Sequence, residues 1–296
     1  MKGIILAGGT GARLYPLTFV TSKQLLPVYN KPMIYYPLST LMLAGIQDIL
    51  IISTPHDLPH FQSLFGNGDK LGINLSYEEQ PMPEGIAQAL LIGEKFISQE
   101  SCALILGDNI FYGTGLNALL RDIVRKNNGA TIFGYLVVRP EKYGVIEFDD
   151  KNKIISIEEK PKVPKSNYAI PGLYFYDKHV CEYTKELKPS SRNELEITDL
   201  NYIYLKNNQL DVKILGRGYT WFDVGTHEDL FEASHFIKII EEHQDLIIAS
   251  PEEIAYRNGW IDASRLLSVA GKYGKLKYRQ YLEELLKEEK ISNECS

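Results

Sequence analysis

A disulfide scaffold is excluded at once, because the 296 residues include only three cysteines, Cys102, Cys181 and Cys295, an odd number without metal-like or redox spacing. Two of them lie inside apolar runs, where thiols act as small hydrophobes, and a reducing cytoplasm is the expected setting. Apolar stretches of membrane-spanning length are missing too. The run behind Met1-Lys2 is cut by Gly8-Gly9 too early for the core of a secretory leader. Runs of Lys and Arg are absent and the formal net charge is −6, which excludes the basic stripe of a nucleic-acid surface. Any phosphate site must therefore be local. No internal repeat, no low-complexity segment and no evident Ser/His/Asp or Cys/His arrangement for a nucleophile is found.

What is present begins at the N-terminus. Ile4, Ile5 and Leu6 form a short continuous apolar run, suited to a strand buried on both faces of a parallel sheet. Gly8, Gly9 and Gly11 follow, and glycine lets a backbone turn sharply while bringing bare N–H groups up to an anion. The loop lacks the terminal Lys-Ser/Thr of a P-loop, and its glycine spacing is not that of a dinucleotide-binding helix. Arg13 and Lys23 stand close behind it as fixed positive charges, so the stretch reads as a phosphate cradle.

Farther along, Pro32 is placed to start a helix that ends at Gly45, with Pro37 kinking it. A buried strand over 48–53 then completes a βαβ unit. A short helix over 58–65, a strand over 73–78 and a helix over 85–97 follow. The apolar run 102–106 is a buried strand ending in Gly107-Asp108-Asn109. A helix over 116–126 and a strand over 130–138 come next. From Tyr143 the period changes to two: a hairpin with its turn at Asp149 to Asn152 ends at Glu159-Lys160-Pro161. The β segment 168–176 carries Pro171-Gly172, which suggests an edge or a bulge near a ligand. Helices over 179–187 and 196–206, with Thr198 or Asn193 as caps, precede strands over 210–215 and 220–224. Thr226 is placed to cap a helix over 228–242. Short helical patterns over 251–256, 262–270 and 277–287 make up the remainder, with a frayed tail over 291–296.

Asp108 and Asp223 each close an apolar strand and are the natural pair for one Mg²⁺, which takes a few carboxylates together with phosphate oxygens and water. Lys160 is a third point charge suited to a phosphate. Gly144 and Gly172 would admit a sugar ring closely. Gln24, Gln80 and Asn109 carry both donor and acceptor, as base edges and hydroxyls require. Glycine amides, three basic side chains and a metal pair, without a general base, fit phosphoryl or nucleotidyl transfer, where catalysis is mainly positioning and charge neutralisation.

Leu6-Ala7-Gly8-Gly9-Thr10-Gly11-Ala12-Arg13-Leu14 with Ser22-Lys23-Gln24 resembles the sugar nucleotidyltransferase family. Further matching stretches are Lys31 to Leu38, Gly85-Ile86-Ala87-Gln88-Ala89, Leu106-Gly107-Asp108-Asn109, Glu158-Glu159-Lys160-Pro161 and Trp221-Phe222-Asp223-Val224-Gly225-Thr226, spanning nearly the whole chain. The resemblance implies that Leu6, Gly8, Gly9, Thr10 and Gly11 hold the nucleotide, with Arg13 and Lys23 on its phosphates. It implies that Gln24, Gln80 and Gly85 contact the base, and that Asp108 and Asp223 hold Mg²⁺. Asn109, Tyr143, Gly144, Glu159, Lys160, Ile170 and Arg192 would bind the sugar phosphate, with Arg13, Lys23 and Lys160 acting catalytically. Ala12 stands where members often have Thr, which removes a hydroxyl but keeps the backbone contact.

The fold expected from this resemblance is α/β: a Rossmann-like mixed, mostly parallel sheet flanked by helices, with a β-rich sugar-binding portion and a C-terminal helical appendage. Residues 1–242 would be the catalytic domain, nucleotide-binding over about 1–138 and sugar-phosphate-binding over about 139–242, and residues 243–296 the appendage. The implied reaction joins dTTP and glucose 1-phosphate to give dTDP-glucose and pyrophosphate. Uridylyl transfer differs by one methyl group. A glycosyltransferase is disfavoured because Asn109, not Asp, follows Asp108 and Ile110 comes next, leaving no Asp-x-Asp; a non-catalytic sensor is disfavoured because the charged set is complete. A homo-oligomer is expected, since Ile247, Ile248, Trp260, Leu266, Leu267 and Leu282 exceed what a peripheral appendage buries alone, and the resemblance implies a homotetramer with a second, feedback nucleotide-sugar site.

Overall fold

The computed structural model describes residues 1–151 and 153–294, with side chains described as far as Lys287. Asn152 of the expected turn, and Cys295 and Ser296 of the expected tail, lie outside those residues. Among them the central sheet has ten strands. Its order runs Ile154–Glu159, Gly144–Phe148, Tyr168–Ala169, Ala130–Leu136, Leu173–Tyr176, Cys102–Leu106, Lys2–Ala7, Asp48–Ser53 and Asn74–Glu79. Leu210–Leu215 lies parallel alongside Ala130–Leu136.

The half that starts the chain is parallel throughout, with Lys2–Ala7 between Cys102–Leu106 and Asp48–Ser53. Its side chains alternate between two apolar layers. Ile5, Ile51 and Ile105 face helix Tyr35–Leu43 and the C-terminal helices, while Ile4, Leu50 and Leu104 face Leu90, Ile97 and Leu200. A continuous apolar run is what burial on both faces demands. The antiparallel pairs belong to the β-rich half, where the hairpin Gly144–Phe148 and Ile154–Glu159 joins the sheet through Tyr168–Ala169. So the sheet is mixed and continuous.

Several local expectations are corrected. Pro32 lies in a two-residue strand, and the helix begins at Tyr35, which puts Pro37 in its first turn, where no helical bond is lost. The helix expected over 85–97 is two short ones, Gln88–Ile92 and Glu94–Ile97, divided at Gly93. Pro171-Gly172 is a break inside the sheet and not at its edge, because Leu173–Tyr176 pairs on both sides. Neither Thr198 nor Asn193 caps a helix: Glu196 precedes Ile197–Lys206 and Thr198 lies inside it. Thr226 does cap His227–Gln244, in a reciprocal capping box with Asp229.

The C-terminal helices Pro251–Arg257, Ala263–Ala270 and Lys277–Glu294 join the same core as the parallel strands. Ile247, Ile248, Leu266 and Leu282 are buried within the chain itself and Trp260 is half-buried, so their burial calls for no second copy; only Leu267, 47% exposed, is left in the open.

Candidate active site

Parallel pairing gathers the loops after four strands at one edge of the sheet. Ala7 pairs with Ser53, and Ser53 with Glu79, so the glycine loop and Gln80 leave the sheet side by side. Gly107 N–H donates to the Leu6 carbonyl at 2.9 Å, which sets Asp108 beside the same loop. Gly9 and Gly11 have φ of 93° and 59°, in the left-handed region, and a Cβ at Gly8 would overlap Gln80 Oε1. Each glycine therefore has a steric reason.

Asp223 arrives from 115 residues farther along. Strand Asn109–Gly113 and strand Tyr219–Asp223 form an antiparallel ribbon in which Asp223 lies opposite Asn109. Asn109 Nδ2 donates to Asp108 Oδ1 at 3.0 Å and to Asp223 Oδ1 at 3.5 Å, joining the two carboxylates. The other side of that amide is held: Trp221 Nε1 and Gly172 N donate to Asn109 Oδ1 at 2.7 and 2.9 Å. Lys23 Nζ donates to Asp108 Oδ2. Burial opposes ionisation of Asp108, but the Lys23 charge and hydrogen bonds hold it below the usual carboxylate range. Burial and the neighbouring Asp108 carboxylate push Asp223 up to about 7. Two converging acids in that state are a site short of positive charge.

Among the described residues no group of three or more His, Cys, Asp or Glu side chains converges as metal ligands. Asp108 and Asp223, joined through Asn109, offer two converging carboxylates, which fits a hard cation that keeps water and phosphate oxygens.

Two adjoining cavities meet at this point. The first, of about 230 Å³, is lined by Leu6, Gly8, Gly9, Lys23, Gln24 and Gln80, with Gly85 and Asp108. Gly85, φ 106°, sits against the Leu195 backbone, where a Cβ would not fit. The second, of about 460 Å³, shares Ile86 and Leu106 with the first and contains Arg13, Asn109, Tyr143, Gly144 and Asp223. Glu159, Lys160 and Ile170 line it as well. A small cleft of about 230 Å³ at Thr10, Gly11, Arg13 and Lys23 touches both. Arg192 stands outside these linings, its Nη2 donating to Glu196 Oε2 at 2.7 Å and to Glu159 Oε1 at 3.3 Å.

Sequence reasoning missed several of these neighbours. Thr198 Oγ1 donates to Glu159 Oε2 at 2.5 Å and, with Tyr174, lines the larger cavity. Gly225 leaves room for the Arg13 guanidinium, and a Cβ there would come within 2.7 Å of it. In the sequence Thr198 is only a candidate cap, and Gly225 carries a signal only in the matched Trp221 to Thr226 stretch.

The profile of the Nucleotidyl transferase family matches residues 2–239. The chain is 55% identical over 287 residues to a glucose-1-phosphate thymidylyltransferase of Neisseria meningitidis, covering 97% of this chain and 100% of that protein. It is 57% identical to the enzyme of that name from Xanthomonas campestris pv. campestris, over 97% of both chains. Among solved structures, a candidate glucose-1-phosphate thymidylyltransferase from Bacillus anthracis in complex with a sucrose superposes with a TM-score of 0.74 at 45% identity, over 80% of this chain and 94% of that one. A UDP-glucose pyrophosphorylase complexed with UDP-glucose gives 0.71 at 26% identity, over 80% and 98%. With the family profile spanning most of the chain and relatives alike from end to end, the protein belongs to the nucleotidyl transferase family.

Proposed function

We propose that the protein transfers a thymidylyl group from dTTP to glucose 1-phosphate, giving dTDP-glucose and pyrophosphate. The observation that carries this reading is a pair of cavities that share Ile86 and Leu106, one bearing Lys23 and Asp108 and the other Asp223, with the two acids joined through Asn109. One cavity has the glycine loop and amides for a nucleotide. The other has Glu159, Lys160 and small residues for a sugar phosphate. An acceptor phosphate oxygen forms the new bond to the α-phosphorus as the bond to the bridging oxygen breaks, and that oxygen leaves with the electron pair on pyrophosphate. A phosphate monoester is largely dianionic near neutrality, so no general base is required.

Glycine-loop amides, Arg13 and Lys23 offset charge on the triphosphate, and Lys160 holds the acceptor phosphate. Asp108 and Asp223 would hold Mg²⁺, which supplies charge neutralisation on the reacting phosphates. Binding phosphates would draw Lys23 away from Asp108, freeing that carboxylate as a ligand. Arg192 acts on the sugar side through Glu159, whose other oxygen is held by Thr198.

We also propose a cytoplasmic homotetramer regulated by nucleotide-sugar product. No helix among the described residues is long and apolar enough to cross a membrane. A separate cavity of about 300 Å³, lined by Leu43, Tyr112, Gly113, Arg121, Ser250 and Arg257, is a candidate for the feedback site. Tyr112 and Gly113 lie at the far end of the ribbon that carries Asn109 and Asp223.

Pyrophosphate release across a grid of nucleoside triphosphates and hexose 1-phosphates tests the reading. Turnover is expected to peak with dTTP and glucose 1-phosphate. Better turnover of UTP would make it a uridylyltransferase, and no pyrophosphate from any triphosphate, with nucleoside diphosphate released instead from an added nucleotide sugar, would make it a glycosyltransferase.

A further inference from the structure

An amide side chain offers a donor on one side and an acceptor on the other, so what the nucleotide cavity selects depends on how its glutamines are turned. Gln88, which is outside the lining of that cavity, decides this for Gln80. Gln88 Oε1 accepts from the backbone N–H of Glu84 at 3.2 Å, and Gln88 Nε2 donates to Glu84 Oε2 at 2.8 Å. A backbone N–H only donates and a carboxylate only accepts, so the Gln88 amide has one orientation. Gln80, 3% exposed, then donates from Nε2 to Gln88 Oε1 at 2.7 Å. A reversed Gln80 would set two acceptors face to face. Its Oε1 is therefore aimed at the bare Cα of Gly8, and among the described residues no protein donor meets it. Gln24 is turned the other way: Ser22 Oγ donates to Gln24 Oε1 at 2.5 Å, leaving Nε2 to donate.

We propose that Glu84 and Gln88 are positioning residues that hold Gln80 as a hydrogen-bond acceptor toward the base, selecting bases with a ring N–H beside a carbonyl. Thymine and uracil present that edge at N3 and O4. Cytosine presents the reverse, an acceptor at N3 and a donor at the exocyclic amine, and is rejected because acceptor would meet acceptor. The inference rests on the nucleotidyl-transfer reading and adds the two residues that set its base selection.

The test is kcat/KM for dTTP, dUTP and dCTP at saturating glucose 1-phosphate. Gln88→Met keeps the length of the side chain and removes both amide groups, so Gln80 is free to turn over. The preference for dTTP over dCTP is expected to fall about tenfold or more. The dTTP to dUTP ratio and the KM for glucose 1-phosphate hold, since those two bases share the edge and the acceptor has its own cavity. The exchange Glu84→Gln with Gln88→Glu swaps donor and acceptor between the two positions while an oxygen still faces Gln80, and it is expected to restore the preference. Glu84→Ala, at an exposed position, should lower it partway and serves where Gln88→Met does not fold. An unchanged dTTP to dCTP ratio in folded Gln88→Met or Glu84→Ala, or an exchange that restores nothing, overturns the relay. Wild-type protein that releases no pyrophosphate with any pyrimidine triphosphate counts instead against nucleotidyl transfer itself.

Discussion

Asp223 carries an expected conflict between function and stability. Its carboxyl is pushed from an ordinary 3.8 up to about 7 by burial and by Asp108. The folded state then holds a proton that the unfolded chain has already released, so stability of the metal-free protein is lost as pH rises from 3.8 to about 7. Asp223→Asn should abolish that loss, melting higher than wild type in chelator at about pH 8 and alike at about pH 4, while turnover disappears. A melting temperature of the variant no higher than wild type at the upper pH would show that the charge is not the cost. The two lysines separate by substrate. Lys23→Met should damage the triphosphate side, and Lys160→Met should raise the KM for the sugar phosphate, each lowering kcat by about 10²–10³. Steady-state kinetics with each substrate varied in turn decide this, and an unmoved sugar-phosphate KM in Lys160→Met removes Lys160 from the acceptor site. Lys160, 48% exposed on its side chain and 3.5 Å from Glu159, would then be an ordinary solvated strand end.

At the scale of elements, the ribbon Asn109–Gly113 with Tyr219–Asp223 and the buried pair Lys31–Glu241 do different work. In the ribbon, Trp221 turns the Asn109 amide toward both acids. Trp221→Phe keeps an aromatic ring against Tyr135 and Tyr143 but loses that donor, so kcat should fall while the melting temperature moves little. The pair Lys31–Glu241, 3.1 Å apart with both side chains 4% exposed, ties strand Lys31–Pro32 to the end of helix His227–Gln244. Glu241 Oε1 also accepts from Ile248 N at 2.9 Å, where the chain turns into the C-terminal helices. Lys31→Met leaves Glu241 buried without its cation and should cost about 3–5 kcal/mol in denaturant unfolding, with kcat per folded molecule nearly unchanged. A loss within about 0.5 kcal/mol would mean that solvent reaches the pair. The spacing in the sequence recovered strand Tyr219–Asp223 and helix His227–Gln244, whose signals are local, but not strands Asn109–Gly113 and Lys31–Pro32, which are set by the strands they pair with. That Pro37 falls in a first turn, or that Thr198 faces Glu159, depends on where a helix begins, and a few residues of uncertainty there reverse the reading.

For the molecule as a whole, the C-terminal helices are part of one core and not an ornament on it. Ile254, Ala255, Leu266 and Leu282 lie in the cluster that holds Ile34, Leu38 and Ile51. Deleting residues 245–296 should therefore yield insoluble or molten protein, and not a soluble monomer freed from feedback. Near-ultraviolet circular dichroism and sedimentation of the truncated chain check this, and a well-folded active monomer would show that the core closes without them. The proposed homotetramer would have to rest on exposed groups such as Phe231, 73% exposed, and Leu267.

Local chemistry written in the sequence was enough for the glycine loop, the acids closing Cys102–Leu106 and Tyr219–Asp223, and the alternation of buried faces. Positive φ, strand ends and hydrophobic period are properties of a few neighbouring residues. Only the tertiary structure decided that Asn109 joins Asp108 to Asp223, that Lys23 pairs with Asp108, that Gln88 turns Gln80, and that the last helices enter the core. Residues 216 positions apart meet there, as where Asn258 Nδ2 donates to the Met42 carbonyl. Which distant partners meet is settled by how all the layers pack at once, and no window of sequence contains that competition.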